Sequence, residues 1–295
     1  MIIGIDLGNY GVSTSEGDYF LAKYSEVPNF GEKNKVIYNG DPLYLGDGEF
    51  STDWNKSKKE TTLPLLFSAL AREGSDTYYD VVLGLPAQQY KNNKESFKTY
   101  IEDNKIRNIY WKGIEKEIII TNVLVAPEGA AAYYCLSEER KAKIGSKQLI
   151  IVDIGGRTTD IILFQNNSIV TVKTIAVGML NVYTDIIDTI NTEFTADFKL
   201  EEAEDIVRNG LFYDGESKDT SFITPILKKH FNSIFKDLQF NFNINKGYVL
   251  LTGGGSLTFQ RAFENRLNNV LISPNPLFDN AIGFKKLGES IWQEK

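Results

Sequence analysis

The chain has 295 residues, enough for two domains that each bury a core. Hydrophobic residues at 42%, charged residues at 24%, 15 Tyr and 18 Phe exclude a disordered or low-complexity chain. A net charge of −7, without a Lys/Arg-rich run, argues against direct nucleic-acid binding but says nothing of the local field inside a cleft.

The opening MIIGIDLG has no basic stretch leading into a long apolar one, and no run of about 18 apolar residues occurs, so neither a signal peptide nor a membrane span is expected. Cys135 is the only cysteine, which fits a reducing cytoplasm; in its apolar surroundings it reads as a small buried hydrophobe. His230 is the only histidine, so a His-based triad has little to draw on; it reads as a surface or core-edge residue.

In chain order, Ile2–Asp6 reads as a buried strand entering a glycine turn, and Val12–Ser15 and Tyr19–Tyr24 continue it as a meander. Lys35–Tyr38 and Pro42–Leu45 flank Asn39-Gly40-Asp41 as a hairpin. Leu63–Glu73 has helical apolar spacing, Asp80–Leu85 is a strand stopped by Pro86, and Asn92–Asp103 is helical. Ile118–Val125 is a β-branched strand, followed by an Ala-rich helix over Pro127–Leu136. In the second half, strands are expected at Leu149–Asp153, Thr159–Gln165, Ser168–Ala176 (paired through Asn166-Asn167) and Tyr248–Thr252. Helices are expected at Leu180–Phe194, Leu200–Asn209, Ser221–Phe240, Gln260–Leu267 and Asn280–Trp292. The last residues, Ile291-Trp292-Gln293-Glu294-Lys295, are too short for a membrane-binding helix.

One theme occurs twice: apolar strand, Asp, Gly turn, second strand, at Ile3–Gly8 and at Ile151–Gly156. Alternating strands and helices after each predict two α/β domains around mostly parallel sheets. The turns carry the chemistry. In Asp6-Leu7-Gly8-Asn9-Tyr10-Gly11, a strand-end carboxylate adjoins bare backbone amides able to approach an anion; a plain structural hairpin fits too. Asp153-Ile154-Gly155-Gly156-Arg157-Thr158-Thr159-Asp160 repeats the pattern and adds hydroxyls and a second acid. There Asp153 could hold Mg²⁺ through its waters while Gly155, Gly156 and Thr158 contact phosphates. Gly253-Gly254-Gly255-Ser256, between a strand and a helix, admits a flat or anionic ligand. No Lys follows it, so it is not a P-loop, and no acid at the right distance makes it a Rossmann site.

These three glycine sites, in this order, resemble the actin/hexokinase/heat-shock-chaperone ATPase superfamily over nearly the whole chain. Within it the sequence looks like the ParM/StbA-type plasmid actins, on Tyr44-x-Gly46 before Asp47, Gly84-Leu85-Pro86 with Tyr90, Pro127-Glu128-Gly129 with Ala130-Ala131, and Ile175-Ala176-Val177-Gly178-Met179. The resemblance implies an actin-like ATPase fold of the α/β class, two related ribonuclease-H-like domains flanking a nucleotide cleft. Residues 1–148, completed by the C-terminal helix 280–295, would form the first domain and 149–279 the second.

By resemblance, Asp6 and Asp153 would sit on Mg²⁺ and its waters, and Glu128 would activate the attacking water. The same acid also suits a helix N-terminus without catalysis. Asn9, Tyr10, Gly11, Gly156, Arg157 and Thr158 would lie along the phosphates. Glu204 would meet the ribose, unless it is only an exposed helical acid, and Gly253, Gly254, Gly255 and Ser256 would adjoin adenine and the α-phosphate. Asn280-Ala281-Ile282-Gly283 resembles an interdomain connecting helix whose small residues permit close crossing and hinge motion. One departure stands out: where many plasmid actins carry Lys seven residues after the first Asp, this chain has Ser13.

The expected function is that of a bacterial cytoplasmic protein that binds ATP or GTP with Mg²⁺, self-associates into filaments and hydrolyses the nucleotide. It would segregate plasmid DNA through a DNA-binding adaptor of the ParR type, with no direct contact to nucleic acid or membrane. Two alternatives are a small-molecule kinase of the same superfamily, disfavoured by the lack of a sugar-binding insertion, and a non-hydrolysing cell-division or pilus scaffold.

Overall fold

Apolar, β-branched runs build two sheets in the computed structural model, which describes residues 1–53, 55–56, 59–166 and 168–293. The first sheet contains β1 (Ile2–Leu7), β2 (Gly11–Thr14), β3 (Tyr19–Leu21), β4 (Tyr24–Ser25), β5 (Lys35–Tyr38) and β6 (Asp41–Leu45). After helix α1 (Thr62–Arg72) it continues with β7 (Tyr78–Leu85), then, past α2 (Ala87–Glu102), with β8 (Ile106–Trp111) and β9 (Ile114–Pro127). Its order is β3-β2-β1-β7-β9-β8-β5-β6-β4, with β1, β7 and β9 parallel.

Two short helices, α3 (Ala132–Cys135) and α4 (Glu138–Ile144), lead to the second sheet. There β10 (Gln148–Ile154), β11 (Thr159–Gln165) and β12 (Ser168–Ile175) form an antiparallel meander. Helices α5 (Met179–Phe194) and α6 (Ala203–Asn209), a small hairpin of β13 (Leu211–Tyr213) and β14 (Glu216–Lys218), and α7 (Ile223–Asn241) follow. Then β15 (Gly247–Thr252), α8 (Ser256–Glu264) and β16 (Val270–Ile272) complete the order β12-β11-β10-β15-β16. This matches β3-β2-β1-β7-β9 strand for strand in direction, so the repeated strand–Asp–Gly theme is a repeated topology. The last helix, α9 (Asp279–Trp292), returns to pack on β1, β7 and α3.

Each sheet has its own core, Ile3, Ile5, Phe67, Val81 and Leu83 in the first and Val152, Ile186, Ile234, Leu251 and Phe263 in the second. Ten of the eleven residues of α1 are buried, so its apolar spacing marks a core helix rather than a surface one. At α9, the position a Cβ would take on Gly283 is 2.1 Å from the carbonyl oxygen of Ala131, so only glycine lets the helix cross so close to α3. Among the described residues no helix is long and apolar enough to cross a membrane.

The structure corrects several expectations. The sheets are mixed, because each parallel core is flanked by antiparallel hairpins. Helix α2 begins at Ala87, five residues early, since Pro86 suits a helix start. The helix expected over Pro127–Leu136 shrinks to α3 after a turn at Glu128–Ala131, and α8 starts at Ser256 rather than Gln260. The β8–β9 hairpin, α4, β13–β14 and β16 escaped the sequence reading: β8 and the start of β9 put Arg107, Glu115 and Glu117 among their apolar residues, and the others are short. The β11–β12 turn falls as expected at Asn166, whereas Asn167, Glu294 and Lys295 lie outside the described residues. Cys135 is half-buried, donates to the Asp279 carbonyl at 3.3 Å, and burial first of all pushes its thiol up to about 12. His230 is buried in the middle of α7, 2.8 Å from Asp185.

Candidate functional site

The turns between β1 and β2 and between β10 and β11 meet tip to tip. A Cβ on Gly156 would fall 2.6 Å from the Tyr10 Cβ and 2.9 Å from its amide nitrogen, so glycine is what lets the turns touch. The β15–α8 turn closes the third side. Gly253 has a φ of +78°, and a side chain there would strike the Asp153 carboxylate at 2.2 Å. The three turns enclose a cavity of about 140 Å³.

Among the residues named from the sequence, Asp6, Gly8, Asn9, Tyr10, Gly11, Glu128, Asp153, Gly155, Gly156, Thr158, Glu204, Gly253, Gly254 and Gly255 all face this cavity. Two do not. Ser256 is fully buried behind the third turn. Arg157 turns away and donates to the carbonyls of Ser51 and Thr52 at 2.7 and 3.1 Å.

Asp6 and Asp153 share one link. The Asn280 amide, in the first turn of α9, donates to Asp6 Oδ2 at 3.1 Å and to Asp153 Oδ2 at 2.9 Å. Its oxygen accepts from the Gly129 N–H at 2.9 Å. One side chain thus ties both strand-end aspartates to the turn carrying Glu128. The other Asp6 oxygen, Oδ1, is buried and has no hydrogen-bond partner among the described residues. Hard carboxylate oxygens, one of them unsatisfied, fit a magnesium ion. No cluster of three His, Cys, Asp or Glu side chains able to hold a metal occurs among the described residues.

Burial raises three of the acids here, Asp153, Glu128 and Asp160. Asp153 lies well above the usual carboxylate range, from burial and, despite the Asn280 hydrogen bond, the surrounding carboxylates. Glu128 is pushed up to about 7 by burial, against the opposing ammonium of Lys56. Asp160 rises to about 6, also through burial, although it accepts from Thr174 and from the Ala87 N–H at 3.1 Å. The second acid of the β10–β11 motif therefore caps α2 of the first half and ties the two sheets together.

The sequence reading missed Asn280 as a site residue and missed two lysines from the β6–α1 connection. Lys56 is 2% exposed; it pairs with Glu128, lies 3.8 Å from Asp6 Oδ1 and donates to the Gly84 carbonyl at 3.3 Å. Burial disfavours its ammonium, but Glu128 and Asp6 outweigh that and raise its pKa. Lys59 donates to Asn9 Oδ1 at 2.7 Å. The same connection places Phe50 against the Tyr10 ring, centroids 5.3 Å apart, with the Lys23 ammonium 4.9 Å from the Phe50 ring. Lys23 in turn pairs with Glu201 of the second half at 3.0 Å. At the far end of the cavity Tyr10, Tyr19 and Tyr183 surround Glu204, which pairs with Arg208 at 2.6 Å. Those rings could face a base, and Glu204 a sugar hydroxyl.

Residues 4–130 match the family of actin-like protein N-terminal domains, and residues 151–265 match the C-terminal domain of archaeal, MreB-like actin homologues. An archaeal actin homologue of Thermoplasma acidophilum is 23% identical, over 98% of this chain and 95% of its own. A fifteen-stranded ParM filament from Clostridium botulinum is similar at a TM-score of 0.83 and 19% identity, covering 98% of this chain and 99% of that one. A crystal structure of an archaeal actin homologue in complex with ADP is similar at a TM-score of 0.82 and 17% identity, over 98% and 99% of the two chains.

Proposed function

Because this chain belongs to the actin-like proteins, with their ATPase fold split by the Asp6–Asp153 cleft, we propose that it is a nucleotide-driven filament protein. It would bind ATP or GTP with Mg²⁺, hydrolyse it, and move plasmid DNA in the cytoplasm through a DNA-binding adaptor of the ParR type. The carrying observation is the Asn280 amide that joins both aspartates in one cleft walled by three glycine turns.

Each residue has a role in this reading. Asp6 and Asp153 hold the metal's waters; the metal supplies charge neutralisation on the phosphates. Backbone amides of the two hairpin turns hold phosphate oxygens, Glu204 meets the ribose, and the tyrosines and Gly253–Gly255 flank the base. Glu128 orients the attacking water and takes its proton, a task for which a carboxylate near pKa 7 is suited. Closing the halves on a triphosphate favours one shape, and loss of the terminal phosphate releases it. Head-to-tail contacts in that shape extend as a filament when they do not close into a ring.

Sedimentation and negative-stain imaging with ATP and Mg²⁺, alongside phosphate release, test this. Polymer that forms with ATP and disassembles after hydrolysis is expected. Glu128→Gln should still bind nucleotide, hydrolyse it about 10²–10⁴-fold more slowly and give longer-lived polymer. A chain that stays monomeric, or turns over ATP only with an added sugar, would sink the filament reading.

A further inference from the structure

The cavity faces five acids, Asp6, Glu128, Asp153, Asp160 and Glu204, and no Lys or Arg among the described residues lines it. A nucleoside triphosphate brings further negative charge into that wall. Phosphates held only by backbone amides beside these acids would meet no side-chain cation on that wall. Ser13, buried on the cavity wall, offers a hydroxyl and no charge.

Three cations lie just behind the wall, all on or against the β6–α1 connection. Two are committed: Lys56 to Glu128 and Asp6, and Arg157 to the Ser51 and Thr52 carbonyls. Lys59 differs. It is 6% exposed, and its ammonium rests on the neutral amide oxygen of Asn9, at the tip of the first hairpin turn. Among the described residues no carboxylate lies within ion-pair distance of it. Burial, then Lys56 and Arg157, push it down to about 8. A buried ammonium without a counter-ion is costly, and an anion arriving at the Asn9 turn would relieve it.

We propose that Lys59 is the cation that holds the terminal phosphates, so that the charge missing from the first turn at Ser13 is delivered by the β6–α1 connection. This rests on the nucleotide reading above and deepens it.

Calorimetry with wild type, Lys59→Met, Lys59→Arg and Lys59→Met/Ser13→Lys tests this, using adenosine, ADP and a non-hydrolysable ATP analogue with Mg²⁺. Lys59→Met should lose about 10- to 100-fold in triphosphate affinity, the worth of one charge-assisted hydrogen bond, and leave adenosine affinity intact. Lys59→Arg and the Ser13→Lys double variant should recover most of it, and the melting temperature without nucleotide should not fall. Unchanged triphosphate binding in Lys59→Met, equal losses for adenosine and triphosphate, or no recovery in the double variant would overturn the proposal. Wild type that binds none of the three ligands would instead bring down the nucleotide reading itself.

Discussion

Asn280 shows how one residue can hold a site together. Its amide uses both donors, to Asp6 and Asp153, and its oxygen accepts from Gly129. Asn280→Ala strips all three partners at once and leaves Asp6 and Asp153 without their shared donor. Each buried group left unpaired costs about 1–3 kcal/mol, so a loss of at least about 2 kcal/mol is expected in chemical denaturation. A loss under about 0.5 kcal/mol would show that water replaces the amide freely.

The acids themselves make a second prediction. Asp160 has a folded pKa of about 6 against an ordinary 3.8, so between those values the native chain keeps a proton that the unfolded chain has shed. Its contribution to stability is full below about pH 4 and is lost as pH rises through about 6, on the order of 3 kcal/mol in all. Glu128 and Asp153 are raised too and act in the same direction. Without nucleotide, the melting temperature should therefore fall between pH 5 and pH 7.5. Asp160→Asn, which can still accept from Ala87, should flatten that slope; an unchanged slope would show that Asp160 stays ionised. These acids were legible as motifs because Asp and Gly adjoin a strand end in sequence. Lys56, Lys59 and Asn280 were not: their partners lie tens to hundreds of residues away, and nothing local sets a surface lysine apart from one aimed into a cleft.

At the scale of elements, the sequence spoke clearly where an element buries one face or all of itself. Strands β1, β7, β10 and β15 and helices α1, α5 and α7 were expected close to where they stand, because their cores are continuous apolar runs or have clean helical spacing. The β8–β9 hairpin was not, since alternate residues face water and carry charge, erasing the apolar run without giving a helical period. The start of α2 was hidden because its capping acceptor, Asp160, comes from the other half. The small residues of α9 were legible as a close crossing, which the structure places against α3. Gly283→Val would drive a branched side chain into the Ala131 backbone, with Ala131 Cβ also only 2.8 Å from the new carbon. Helix α9 carries Asn280, so such a shift should cost about 2–4 kcal/mol and weaken nucleotide binding together. Measuring both tests the link; full stability with intact binding would mean that α9 can slide without disturbing the cleft.

For the whole molecule, the sequence expectation put Arg157 on the phosphates, whereas its guanidinium bridges the halves by clasping the Ser51 and Thr52 carbonyls. Lys23–Glu201 bridges the same gap, while the stack of Phe50 on Tyr10 fastens the β6–α1 connection to the first hairpin turn. Arg157→Lys separates clasp from charge: it keeps the cation and loses the two-carbonyl fork. If Arg157 is a clasp, amide exchange in the β6–α1 connection should quicken about tenfold, the worth of one to two hydrogen bonds, while adenosine and ADP affinities hold within about twofold. A large loss of triphosphate affinity with unchanged exchange would return Arg157 to the phosphates and leave the bridge between the halves to Lys23 and Glu201.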